Sequence, residues 1–167
     1  MAEARRPSAS TLSVCTLKVP LPPDQRPAPI LFNKLQFNGL WNNHPRDLAN
    51  LLRYVSHLKE QPFQWQIINF SAPVPDWHDA PILYISAESD LKLGDEDKKK
   101  LRAFTDSGGT IFFEASCGNP SAKASWERAL KEVWSEFELK VLTKEHPLWT
   151  ADQKITGRPR GSPCPRP

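Results

Sequence analysis

The sequence predicts an α/β fold, a flavodoxin-like three-layer sandwich around a mostly parallel sheet of about five strands. Three observations carry this reading. Short apolar runs of strand length alternate with longer stretches of helical period, the pattern of strands joined by crossover helices. The glycine pair Gly108-Gly109 stops a helix just before the apolar run Thr110-Ile111-Phe112-Phe113. That run ends in the polar turn Ser116-Cys117-Gly118-Asn119. In open α/β sheets, turns just beyond the carboxyl ends of strands are where ligands and nucleophiles sit.

The elements follow in order. Pro20, Pro22, Pro23, Pro27 and Pro29 remove backbone donors and exclude a helix, so residues 1–29 read as an extended arm. Residues 30–37 form the first strand, and Asn38-Gly39 turns the chain. Asn43-His44-Pro45 opens the first helix, with proline suited to its first position. Leu48, Leu51, Leu52, Val55 and Leu58 fall on one apolar stripe, expected to face the core. Pro62 closes the helix, and residues 64–70 give a second strand. Only a short proline-rich link, with Pro73 and Pro75, separates it from a third strand at 82–86. A full crossover helix is missing there.

The next helix starts at Gly94-Asp95, acids first and lysines after, as the helix dipole favours. Its core residues are Leu101 and Phe104, and Gly108 suits the left-handed position that ends it. The fourth strand spans 110–115. A third helix begins at Pro120 or Ser121, with Trp126, Leu130, Val133, Trp134 and Phe137 as its apolar face. Phe137-Glu138-Leu139-Lys140-Val141-Leu142 alternates like a fifth, edge-side strand. Residues 30–150 therefore form the domain. Residues 151–167 are rich in Pro and Arg, lack a core-facing period and are expected to be disordered.

Composition narrows the function classes. The net charge is only +3, from 22 basic against 19 acidic residues, and no basic stripe interleaves with aromatics, so nucleic acid is not expected as a partner. The run Lys98-Lys99-Lys100 follows Asp95-Glu96-Asp97 and reads as one solvated helix face. No apolar stretch reaches the ~20 residues of a membrane span. The three cysteines, Cys15, Cys117 and Cys164, have no metal-ligand spacing. A disulfide framework is not expected, and a reducing, cytoplasmic setting fits this chain. No phosphate-binding glycine loop is present, and neither a metal nor another cofactor is expected.

A parallel sheet would bring three polar clusters to one edge. They are Asn38, Gly39, Trp41, Asn42 and His44; Ser86, Glu88, Ser89 and Asp90; and Glu114, Ser116, Cys117, Gly118 and Asn119. Cys117 is the candidate nucleophile, since a helix amino end lowers a thiol pKa. It is also readable as a small semi-buried packing residue, or as a ligand contact without covalent chemistry. Trp41 can stack on a ligand or cover the sheet edge. His44 can act as a base or cap the first helix. The candidate ligand-binding set is Asn38, Gly39, Trp41, His44, Ser86, Glu88, Glu114, Gly118 and Asn119.

The segment Phe37-Asn38-Gly39-Leu40-Trp41-Asn42-Asn43-His44-Pro45, followed by Leu48 to Leu52, resembles the opening of a bacterial domain family of unknown function, DUF4159. The strand Ile82-Leu83-Tyr84-Ile85-Ser86, the stretch 101–118 with Leu101-Arg102, Gly108-Gly109 and Cys117-Gly118, and the close His146-Pro147-Leu148-Trp149 match its later motifs in order. The resemblance covers residues 30–149. It implies a class I glutamine amidotransferase-like fold and a cysteine elbow at Cys117, with His146 as the candidate base of a catalytic pair. Ala115 supplies the small residue expected two before the cysteine, whereas Asn119 stands where a second small residue belongs. His146-Pro147 is followed by Leu148 rather than Glu, and Ala87-Glu88 occupies the place of a Gly-His pair. Relatives often carry a signal or membrane segment, and they continue with more sheet where this chain turns Pro/Arg-rich. The expectation is a non-catalytic domain that binds a small molecule or a protein at the carboxyl edge of the sheet. The alternative is a cysteine-dependent hydrolase or amidotransferase using Cys117.

Overall fold

A computed structural model describes residues 27–143 and 145–151. The expected arm and tail therefore lie almost wholly outside the described residues. Four parallel strands form one sheet in the order β2-β1-β3-β4. The strands are β1 (Ile30–Gln36), β2 (Phe63–Asn69), β3 (Ile82–Ala87) and β4 (Thr110–Ala115). The helices are α1 (Asp47–Lys59), α2 (Val74–Trp77), α3 (Asp95–Asp106) and α4 (Pro120–Val133). Register pairs Lys34 with Ile67 on one side and with Tyr84 on the other, and Ser86 with Glu114.

Helices cover both faces of the sheet, and the faces differ. Leu35, Leu83 and Ile85 point to one side, where they pack with Trp77 of α2, Leu101 and Phe104 of α3, and Trp126 of α4. The other face is smaller. There Leu48 and Leu52 of α1 meet Tyr84, Phe32, Phe63 and Trp65. The alternation of β-strand side chains does this sorting, since paired residues in neighbouring strands share a face.

Local chemistry sets the helix limits. α3 starts where the Asp97 carboxylate accepts the Gly94 N–H at 3.0 Å. It ends before Gly108, whose φ of +99° carries the chain out of the helix. Gly109 must lack a side chain, because a Cβ there would lie 2.3 Å from the Phe104 ring. In α4, Asn119 is the cap, its Oδ1 accepting the N–H groups of Ser121 and Ala122 at 2.9 and 3.2 Å. Helix α1 begins at Asp47, two residues later than Pro45 suggests, because residues 44–46 form a turn closed by the Asp47 N–H on the His44 carbonyl at 3.1 Å.

Two expectations need correction. Among the described residues the sheet has four strands, and residues 137–142 are irregular. Phe137, Leu139 and Val141 are 71, 56 and 95% exposed, so their alternation finds no strand to pair with among the described residues. An alternating pattern states only that a segment fits a pleated surface; tertiary context decides whether it pairs. The link between β2 and β3 lacks a full crossover helix, as expected, and holds a single helical turn, α2, whose Trp77 is wholly buried between Phe70 and Phe104. One large aromatic there does the covering that a longer crossover helix would do. The second correction is that Leu51 and Leu58 stay exposed although they lie on the apolar stripe of α1.

Candidate functional site at the carboxyl edge of the sheet

The strand order reverses direction between β1 and β3, which makes that point the topological switch where open α/β sheets bind ligands. The loops after β1, β3 and β4 meet there and are tied together. The Glu88 N–H donates to the Leu40 carbonyl at 3.3 Å, and the Asn43 amide donates to the Glu88 carboxylate. Ser86 Oγ and Ser116 Oγ lie 3.0 Å apart, both buried. Cys117 Sγ lies 3.6 Å from His44 Nε2, joining the loop after β4 to the loop after β1.

Beneath these loops runs a polar chain that the sequence did not flag. Lys34, 1% exposed on the middle strand, donates to Asp47 Oδ1 at 2.7 Å and to Asn42 Oδ1 at 3.1 Å. Its ammonium lies 6.0 and 5.8 Å from the ring centroids of Trp41 and Tyr84. The Tyr84 hydroxyl lies 3.0 Å from Asp47 Oδ2 and 2.5 Å from Glu114 Oε2. Burial, and then the Glu114 and Asp47 carboxylates beside it, push the Tyr84 phenol far above its usual range. A buried charge must be paired and hydrogen-bonded to be tolerated. Lys34 meets that demand by holding the β1 loop, the start of α1 and strand β3 in one place.

The expected site residues now divide. Asn38, Gly39, His44 and Gly118 are exposed on the loops, and Trp41 is half-buried with its indole over Lys34. Ser86 and Glu88 tie loop to loop, and Glu114 closes the Tyr84 chain. Asn119 is the helix cap, which accounts for it without a ligand. His146 is engaged elsewhere: its Nδ1 accepts the Leu148 N–H at 3.2 Å in a short terminal turn. The imidazole beside Cys117 is that of His44. Among the described residues, no group of three or more His, Cys, Asp or Glu side chains is placed to hold a metal.

Among the described residues, Cys117 is one of two non-glycine residues with positive φ, at +54°, and Gly118 follows at +65°. A non-glycine residue in the left-handed region is uncommon, and such residues cluster at functional turns.

The family profile described as "Domain of unknown function (DUF4159)" matches residues 31–163, most of the chain. The chain belongs to this family. No curated protein and no solved structure matches it. In this DUF4159 domain, the residues that sequence reasoning missed are Lys34, Asp47 and Tyr84. A signal for them was present: Lys34 and Tyr84 interrupt apolar strands at interior positions, where a charge or a hydroxyl must find a partner. No helix among the described residues is long and apolar enough to cross a membrane.

Proposed function

We propose that this domain is a non-catalytic, amidotransferase-like member of DUF4159 with a flavodoxin-like three-layer sandwich. It binds a small molecule or a protein segment at the carboxyl edge of its sheet. The observation that carries the reading is the convergence of three cross-linked loops at the β1/β3 switch point, with the Trp41 indole partly open above a rigid polar floor. An indole face supplies contact area, and the exposed Asn38, His44 and Gly118 supply polar and backbone groups that orient a ligand. One feature favours binding over catalysis: no carboxylate among the described residues hydrogen-bonds the second nitrogen of His44 to orient it. The test is a fragment screen followed by amide chemical shifts. Shifts should concentrate at residues 38–44, 86–90 and 116–119. Hits that perturb only other surfaces, or no hits at all, overturn the reading.

One observation favours a second reading, a cysteine-dependent hydrolase with His44, not His146, as base. The 3.6 Å approach of His44 to a cysteine held at φ +54° is the geometry a nucleophile and base would need. Iodoacetamide kinetics on reduced protein separate the two readings. Hydrolase chemistry requires a Cys117 reaction pKa well below the usual ~8.5, returned to it by His44→Ala. The binding reading expects no such depression.

A further inference from the structure

We propose that the outer edge of β2, with the basic flank of α1 above it, binds an extended acidic segment of a partner protein as an added strand. The site is separate from the loops at the carboxyl edge. β2 lies at one end of the sheet and pairs only with β1 among the described residues. Two bonds fix which backbone groups face outward. The Ile30 N–H donates to the Pro62 carbonyl at 2.9 Å, so residue 62 faces β1. The Phe63 N–H turns the other way and donates to Ser56 Oγ of α1 at 2.9 Å. Backbone groups alternate along a strand. Trp65 and Ile67 therefore also direct N–H and C=O outward, where no described residue bonds them. Exposed edges are normally blunted by charge, proline or a bulge. Phe63–Asn69 has no charged residue and no proline, and its seven residues keep unbroken register with β1.

A cleft follows this edge. Arg53 and His57 of α1 line it together with Phe63, Gln64 and Trp65 of β2. Three consecutive strand residues do not share one face, so the cleft runs along the border of the strand. Arg53 is exposed and donates to Asn50 Oδ1 at 3.1 Å, a neutral acceptor. Arg46 stands seven residues earlier, on the same line of the helix at about 100° per residue. Neither arginine has a carboxylate partner among the described residues. From Arg46 to Lys59 the sole acid is Asp47, which is committed to Lys34. The surface above the edge is therefore of one sign.

The occupant is argued from backbone, charge and spacing. Unpaired N–H and C=O groups on a strand edge match another peptide backbone, the basis of recognition by strand addition. The flank above them selects acidic side chains. α1 runs antiparallel to β2, since Ser56 meets Phe63 while Asp47 meets Lys34, the neighbour of Ile67. Arg53 and His57 are four residues apart, about 6 Å along the helix. Alternate residues of a strand lie about 6.7 Å apart on one face. Two carboxylates at alternate positions therefore meet this pair, and a third, two residues on, comes within reach of Arg46. The chain's own remaining segments carry the wrong charge. Residues 1–26 hold four basic residues against two acidic, and residues 152–167 hold four against one. A second copy adding its β2 about a twofold axis normal to the sheet would set Arg53 beside Arg53. Like charges so juxtaposed oppose binding.

The test uses the full chain with a capped peptide of about eight residues alternating threonine and glutamate, and with its lysine counterpart. Amide hydrogen exchange at Trp65 and Ile67 should be fast in the chain alone. It should slow by roughly 10-fold or more when the glutamate peptide saturates the chain. The lysine peptide should bind more weakly by roughly 10-fold or more. Arg53→Glu, at an exposed position, should leave the circular dichroism spectrum unchanged, weaken the glutamate peptide and strengthen the lysine peptide. No binding of the glutamate peptide at about 1 mM overturns the proposal. So do equal affinities for the two peptides, or affinities that Arg53→Glu does not move. Binding that leaves exchange at Trp65 and Ile67 unchanged is charge attraction without strand addition and also overturns it. Slow exchange there in the peptide-free chain does the same, because the chain itself or a second copy then holds the edge. Ligand binding at the carboxyl edge is read at residues 38–44, 86–90 and 116–119, so the two readings fail separately.

Discussion

The two faces of the sheet solve different problems. The face under α2, α3 and α4 is mostly apolar, built on Leu35, Leu83, Ile85, Trp77, Leu101 and Phe104, each essentially without exposure, with one buried amide, Asn33, donating to the Trp77 carbonyl. The face under α1 carries a buried ammonium, a phenol and two carboxylates, and among the described residues no helix lies over its β4 side. The first face supplies stability through burial, which is non-directional and tolerant of detail. The second positions loops through hydrogen bonds, which are directional and fail abruptly when one partner is removed. The candidate site sits above the second face, and its loops are fixed by that network rather than by close packing alone.

The comparison is tested most severely at Trp77. Trp77→Ala on the apolar face should cost about 3–5 kcal/mol, the range for deleting a large buried aromatic. Its rings lie 5.7 and 5.9 Å from those of Phe70 and Phe104, so the loss opens a cavity that neither neighbour can fill alone. Trp77→Phe should cost clearly less. The Trp77 Nε1–H is buried without an acceptor among the described residues, and phenylalanine removes that unsatisfied donor along with the volume. Urea unfolding monitored by circular dichroism measures both. Equal losses for Ala and Phe would show that Trp77 acts through something other than burial.

On the polar face, Lys34→Ala should cost about 3 kcal/mol, because it strands Asp47, 16% exposed, without its cation. Lys34→Met with Asp47→Leu should recover most of this, since a buried ion pair is often replaced by apolar groups of similar volume without net loss. The distinguishing result is positional. The double variant should regain stability yet leave amide shifts at residues 40–44 displaced, because the hydrogen bond from Lys34 to Asn42 is still gone. Unchanged loop shifts would remove the claim that this network places the loop.

Much of the fold was legible because it rests on the apolar face. The period of Leu101 and Phe104, the glycine stop at 108 and the run 110–115 each follow from local rules, and β4 appears with the expected bounds. The polar face was poorly legible. Lys34, Asp47, Tyr84 and Glu114 come from three strands and a helix, and only parallel pairing brings them together. The choice between His44 and His146 beside Cys117 was equally out of reach, since 73 residues separate His44 from the cysteine. The alternation of 137–142 misled because period two reports suitability for a strand and says nothing about whether a neighbour is available.

The pH dependence sharpens the contrast in a direction peculiar to the polar face. An unfolded tyrosine ionises near ~10. Burial and the adjacent Glu114 and Asp47 hold Tyr84 protonated well beyond that in the folded chain. Above pH ~10 the native state therefore binds more protons at this position than the unfolded state, and stability falls as pH rises, by up to ~1.4 kcal/mol per unit. The contribution is complete below pH ~10 and fades above it. Tyr84→Phe removes the titrating group. It should be the less stable protein at pH 7 by roughly 1 kcal/mol for its lost hydrogen bonds, and should close that gap as pH passes 10 and 11. Parallel stability curves across this range would show that Tyr84 does not differ between the folded and unfolded chains.

The smallest expected effect concerns the turn that carries Cys117. Asn119→Ala removes the acceptor for the Ser121 and Ala122 N–H groups and should cost about 1 kcal/mol, the usual worth of a helix cap. Asn119→Asp keeps an oxygen in place and adds a charge favourable at a helix amino end, so it should hold stability or raise it slightly. If Asn119 acts only as a cap, both variants keep the amide shifts of residues 86–90 and whatever ligand response the wild type has. A loss of ligand response in Asn119→Asp, with stability intact, would move this residue from the scaffold to the binding surface. It would also extend the polar face's role from holding the loops to touching what they bind.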